Sequence, residues 1–156
     1  MTNPTKIFPE IEGDLLAGGT AKLPQYFKEG YSLITLVYEE NGKFQNAQNQ
    51  SSEWQTFWQS ELKDKQIGFY ELPMISKRKQ WMSAMTNKWM RDGIPKNFHP
   101  NVITVYGEKE NFSNLFGITN KNECFVILVK NRNEVITTFE GLPNDISKRS
   151  ILKSIN

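Results

Sequence analysis

The sequence predicts an α/β protein: a mixed central sheet of about five strands with helices on both faces, preceded by an N-terminal β-hairpin. Three observations carry that reading. The segment "YSLITLVYE" is almost continuously apolar, as strands buried on both faces of a parallel sheet are. Strand-like and helix-like segments alternate through the middle of the chain, which implies parallel strands joined by crossovers. The segment "CFVILVKNRNEVITTFEG" instead reads as an antiparallel hairpin, so the sheet is mixed.

The elements follow in order. Residues 7–29 hold Pro9, Gly13, Gly18 and Gly19 between short apolar pieces, the pattern of a hairpin turning at Gly18-Gly19. Pro24 and "QYFKEG" suggest one helical turn closed by Gly30. After the first central strand, Ser51 or Ser52 is a suitable helix cap, and Trp54, Phe57, Trp58 and Leu62 then share one helical face. "IGFYELPM" is strand-like and is expected to stop at Pro73. A helix is predicted over 76–92 with Gly93 as its stop, then a strand in "NVITVYGE" and a short helix ending at Gly117. The closing hairpin turns near Lys130 to Asn133. The tail helix starts at an Asn144 or Asp145 cap, with Ile146, Ile151, Leu152 and Ile155 along one side.

At 156 residues, with 38% hydrophobic and 12% aromatic content, the chain supports one domain with a substantial core. Nineteen basic and seventeen acidic side chains leave a charge of +2, too little for a phosphate-tracking field, so nucleic acid is not an expected partner. One cysteine excludes an internal disulfide and a thiolate zinc cluster, and the lone His99 leaves any His-based metal site with only carboxylate help. No cofactor or metal is called for. The opening "MTNPTKIFPEIEG" lacks the apolar segment of a signal peptide, and no apolar run approaches the roughly 20 residues that span a bilayer. A soluble domain is expected. Cytoplasmic and, if a leader has been removed, extracytoplasmic locations both stay open.

The stretches "FPEIEGDLLAGGTAKLPQYFKEGYSLITLVY" and "FGITNKNECFVILVKNRNEVITTFEG" resemble the opening and closing parts of the thioredoxin-like fold, in the branch of extracytoplasmic thiol-disulfide proteins and peroxiredoxins. Within it, "EWQTFW", "GFYELPMI", "RDGIP" and "VITVYGEKENFSNLFGI" are similar to the mitochondrial ATP synthase assembly factor family and its bacterial relatives. The resemblance implies a redox Cys-x-x-Cys at the start of the helix after the first central strand. Here that region reads "YEENGKFQNAQNQSSEW", without cysteine, and exchange needs an attacking and a resolving sulfur. It also implies a cis-proline before the closing hairpin, and Cys124 falls at or next to that position. The expectation is a non-redox binding protein with a protein partner, such as a membrane subunit whose assembly it assists.

The candidate residues have plain readings beside the functional ones. Cys124 is either a small core side chain or the nucleophile of a one-cysteine thiol peroxidase or reductase, with Glu123 opposing a thiolate. His99, in "NFHPN", has no nucleophile motif to complete a triad and reads as a turn residue. Glu39, Glu40 and Asn41 end the first central strand, where open α/β sheets hold ligands, and could form a cation or small-ligand sensor. They are also an ordinary turn sequence. The helix over 76–92 has Lys77, Arg78 and Lys79 in its first turn, against the dipole, and an apolar stripe of Trp81, Met82, Met85 and Trp89. Such a stripe is usually core. Trp and Met beside Lys88 and Arg91 also suit a partner surface or, less favoured, a membrane surface.

Overall fold

The computed structural model describes residues 6–40 and 44–156. Seven strands form one mixed sheet: β1 (Ile11–Leu15), β2 (Thr20–Leu23), β3 (Tyr31–Tyr38), β4 (Gly68–Ile75), β5 (Ile103–Tyr106), β6 (Phe125–Lys130) and β7 (Glu134–Glu140), in the order β2-β1-β5-β4-β3-β6-β7. β3, β4 and β5 run parallel, and every other pairing is antiparallel. The expectation of about five strands is corrected: the N-terminal hairpin is not separate from the sheet but extends it. Asp14 and Leu15 pair with Thr104 and Ile103. Gly13 permits that approach, since a Cβ there would lie 2.5 Å from Ile103 Cγ2 and 2.9 Å from the Thr104 carbonyl oxygen.

The hairpin turns at Gly18 and Gly19, both at positive φ, as the glycine pair predicts. β3 is buried along nearly its whole length, between β4 and β6. Pro73 does not stop β4, which continues to Ile75. Met74 turns its carbonyl to Glu39, beyond β3, and Ile75 turns its own to Gly107, beyond β5. Alternation therefore points the Pro73 nitrogen towards β5, where Glu71 makes an isolated bridge to Val102 and regular pairing resumes at Met74–Val105, so the missing donor falls in the gap between the two.

Helices α1 (Gln45–Phe57), α2 (Ser83–Gly93), α3 (Lys109–Phe116) and α4 (Asp145–Ile155) complete the fold. α1 starts six residues before the serines expected to cap it, so Ser51 and Ser52 are interior. It runs on into a wider π-type turn, Trp58–Leu62, in which the Lys63 amide reaches the Trp58 carbonyl. Trp54, Phe57, Trp58 and Leu62 are all buried, as their spacing predicts. The helix predicted over 76–92 is in fact a 3-10 segment, Lys77–Met82, followed by α2. α3 ends at Gly117 in the left-handed conformation, and α4 begins with a reciprocal capping box between Asn144 and Ser147. On α4, Ile151 is buried but Ile146 is 81% exposed, so the expected apolar side does not include Ile146.

One core layer packs under α1, α4 and the inner side of α2: Leu33, Val37, Trp54, Trp58, Phe69, Phe98, Val126 and Ile151 belong to it, with Met90 and Ile94 against them. The other layer holds Ile34, Leu36, Leu72, Val105, Phe112, Phe116 and Ile127, covered by α3 and by Phe8 and Phe27. No helix among the described residues is long and apolar enough to cross a membrane.

Candidate functional site

Two places in this framework carry side chains that packing alone does not explain. The first is a polar chain buried between α1 and the sheet. Thr35 on β3 and Glu71 on β4 are register partners, both facing α1 from otherwise apolar strands. Ser51 Oγ lies 2.8 Å from Thr35 Oγ1 and donates to Glu71 Oε1 at 2.6 Å, while Gln48 Nε2 donates to the same oxygen at 2.9 Å. Burial raises the Glu71 pKa above its usual value, and the two hydrogen bonds only partly oppose the rise.

Cys124 adjoins this chain. Its amide donates to Gln50 Oε1 at 2.7 Å, and Gln50 Nε2 in turn donates to the Glu123 carboxylate. The thiol is fully buried. Burial first, then the negative fields of Glu71 and Glu123, push its pKa well above the ordinary thiol value. A neutral, enclosed thiol is the form this surrounding favours. The cis peptide among the described residues lies elsewhere, at Leu23–Pro24.

The end of β3 is tied down rather than open. Lys79 Nζ meets Glu39 Oε2 at 2.9 Å, and Lys109, the first residue of α3, donates its ammonium to the Glu39 backbone carbonyl. Glu39 thus joins β3 to the 3-10 segment and to α3. Its carboxylate is engaged by a lysine, which weighs against the ligand role expected for the Glu39–Asn41 loop. Glu40 is half-buried, and Asn41 lies outside the described residues. Among the described residues no three His, Cys, Asp or Glu side chains converge as metal ligands do. His99 is buried, with Nε2 2.8 Å from the Ile94 carbonyl oxygen, a turn tie as its surroundings predict.

The second place is the outer face of α2 and the segment before it. Trp81 is 82% exposed, Met85 49% and Trp89 60%. The opposite side of the helix turns inward: Met90 and Ile94 pack on the core, Thr104 Oγ1 lies 3.8 Å from Met90 Sδ, and Arg91 Nε donates to the Leu16 carbonyl. The usual core reading of the stripe is therefore corrected, because the sheet is satisfied by Met90 and Ile94 and leaves the tryptophans in solvent. Met82 is half-buried. Lys77, Arg78 and Lys88 are exposed, whereas Lys79 points back to Glu39 and is only partly exposed.

Only the second place was marked out by the sequence. The signal for the first was an ionisable residue and a threonine inside two apolar strands, "IGFYELPM" and "SLITLVY".

No protein-family model matches the chain, and no curated protein matches it in sequence. Solved structures do match over nearly its whole length. BsSco, a member of the Sco family of cytochrome c oxidase assembly proteins with a disulfide switch, superposes with a TM-score of 0.66 at 15% identity, covering 99% of this chain and 95% of its own. A DsbF homologue from Corynebacterium diphtheriae gives 0.60 at 12% identity, covering 96% and 87%. A thiol:disulfide interchange protein from Bacteroides sp. gives 0.56 at 18% identity, covering 99% and 91%. The fold is thioredoxin-like. At such identities the likeness extends to the fold alone, and thioredoxin-like scaffolds can carry different sites. Where this one differs in chemistry is visible in its residues: its single cysteine is Cys124, and the first turns of α1 hold amides and serines.

Proposed function

We propose that this chain is a non-redox thioredoxin-fold binding protein that captures a protein partner on Trp81, Met85 and Trp89. The observation that carries the reading is the exposure of all three, Trp81 in the 3-10 segment and Met85 and Trp89 on α2, while the inner side of α2 is already packed. Solvated tryptophans lose hydration favourably on contact, and Trp and Met are enriched where interfaces form. Lys77 and Arg78, exposed in the same 3-10 segment as Trp81, add charge there, while Lys79 contributes by fixing the segment to Glu39. The lack of a second cysteine and the burial of Cys124 support a binding role over thiol exchange.

The role served by such binding is assembly of a membrane protein complex. Its support is the resemblance to the ATP synthase assembly factor family and the likeness in fold to a protein of a cytochrome c oxidase assembly family. Affinity capture from the source cells, with and without detergent, tests both parts. Alanine at Trp81, Met85 or Trp89 is expected to weaken capture while leaving the melting temperature nearly unchanged. Equal losses of capture and stability would return these residues to a structural role.

The competing reading, a one-cysteine thiol peroxidase or reductase at Cys124, draws on the thiol-disulfide proteins among the fold neighbours. A native-state titration separates the two. The binding reading predicts that a thiol reagent modifies Cys124 only after unfolding, and rapid modification of the folded chain would favour the enzyme.

A further inference from the structure

α1 is attached to the rest of the fold in two different ways along its length. Its last turns and their π-type extension are held by Trp54, Phe57, Trp58 and Leu62, all buried. Its first two turns, residues 45–52, hold one apolar residue, the buried Ala47, with Phe44 half-buried just ahead of them. The side-chain bonds that tie these turns down are polar. Asn46 Nδ2 donates to the Asn122 carbonyl at 2.7 Å, Gln50 joins the Cys124 amide to the Glu123 carboxylate, and Gln48 and Ser51 both donate to Glu71. We infer that these two turns form a cover that opens locally, apart from the rest of α1, and that the proton on Glu71 holds it shut.

The surroundings of Glu71 decide how it responds to ionisation. Its partners in the sheet, Thr35 and Val102, bring no charge, and α1 presents Gln48 and Ser51 to it. The titratable groups beside this layer are the Cys124 thiol and, across Gln50, Glu123, and neither offers a positive charge. Among the described residues no cation pairs with Glu71. An ionised carboxylate placed there loses more hydration than two hydrogen bonds return. It regains water at least cost by parting from the first turns of α1, because water replaces their polar bonds, whereas parting from β3 breaks a ladder and releasing the later turns exposes Trp54. In the open form the carboxyl has its ordinary value of 4.5, and in the closed form a higher one. The opening equilibrium is therefore constant below 4.5, rises about tenfold per pH unit above it, and levels off at the closed form's value. Cys124 is uncovered by the same local unfolding, so acid keeps the thiol enclosed.

Hydrogen exchange of the whole chain, resolved by residue in low denaturant and at a series of pH values, tests both parts. After correction for the intrinsic exchange rate, the amides of 48–52 are expected to exchange at least about tenfold faster than those of 54–62 and to respond little to denaturant, as a small opening does. Their corrected exchange should climb about tenfold per pH unit above 4.5 in the parent chain and stay level in Glu71→Gln. Glu71→Leu, which also has nothing to titrate, supplies the same comparison where the glutamine chain does not fold. Equal protection and equal denaturant response in 48–52 and 54–62 would show that the cover opens only with the whole fold. A corrected exchange that is level with pH in the parent, or a climb that persists in the variants, would remove Glu71 as the latch. Any of these results overturns the inference.

Discussion

α1 and α2, each taken with the short helical segment that adjoins it, carry two tryptophans apiece, and they use them in opposite ways. On α1 and its π-type extension, Trp54 and Trp58 are enclosed, their rings stacked on Phe139 and Phe69, and their indole N–H groups donate to the Gly141 and Ile67 carbonyls. On α2 and the 3-10 segment before it, Trp81 and Trp89 stand in solvent. The difference lies in what sits on the other side of each helix. α1 has only polar residues to turn outward, such as Asn49, Glu53 and Thr56, so its aromatic side has the sheet to itself. α2 has Met90 and Ile94 on the reverse, and these take the sheet. A helix with two apolar sides can bury only one against a single layer, and the bulkier side here is the one left out.

The contrast can be broken most decisively at Trp54. Trp54→Ala should cost about 3–5 kcal/mol, through the lost ring and the cavity left behind, read as a fall in the denaturant midpoint. A loss below about 1 kcal/mol would mean that α1 is not anchored as described.

Glu71 sharpens the inner side of α1. Glu71→Ala leaves Ser51 and Gln48 without their acceptor and should cost about 1–3 kcal/mol. Because the folded chain holds this carboxyl above its usual pKa, it binds the proton more tightly than the unfolded chain. Its contribution is therefore fully present below the ordinary carboxyl value of 4.5 and is lost as pH rises from there through the raised folded value. Stability measured across that window should fall with pH in the parent chain and fall less in Glu71→Gln. An identical slope in both would assign the pH dependence to other groups.

The smallest effect on stability belongs to the outer tryptophans. Trp81→Ala and Trp89→Ala should each shift unfolding by no more than about 0.5 kcal/mol, as exposed positions do. Their fluorescence should be quenched by a soluble quencher while that of Trp54 and Trp58 is spared. Shielding of all four would show that α2 lies face-down.

How far the sequence speaks follows from the same physics. The strand 31–38, both hairpins and the stop at Gly117 are legible because apolar runs and glycines act locally. The start of α1 is not, since "QNAQNQSS" looks like a polar loop unless one knows that Ser51 turns inward to Glu71. Pro73 reads as a stop until its neighbour strand is placed. The spacing of Trp81, Met85 and Trp89 reveals a shared side of a helix, but periodicity carries no information on which of two apolar sides the sheet accepts. The buried chain of Thr35, Ser51 and Glu71 depends on a pairing between strands some forty residues apart, which a local reading does not reach.

The pairing of the N-terminal hairpin with β5 also bears on how the chain is made. The hairpin leaves the ribosome before the other strands of the sheet, and its neighbour across positions 14 and 104 arrives ninety residues later, after β3, α1 and β4 have been synthesised. Until then one side of β1 presents unsatisfied backbone groups, and closing so long a loop is a slow, entropically opposed step. The parallel pair of β3 and β4 can form earlier, so the sheet grows from its middle outwards, and the hairpin that precedes the other strands in sequence is among the last to be seated.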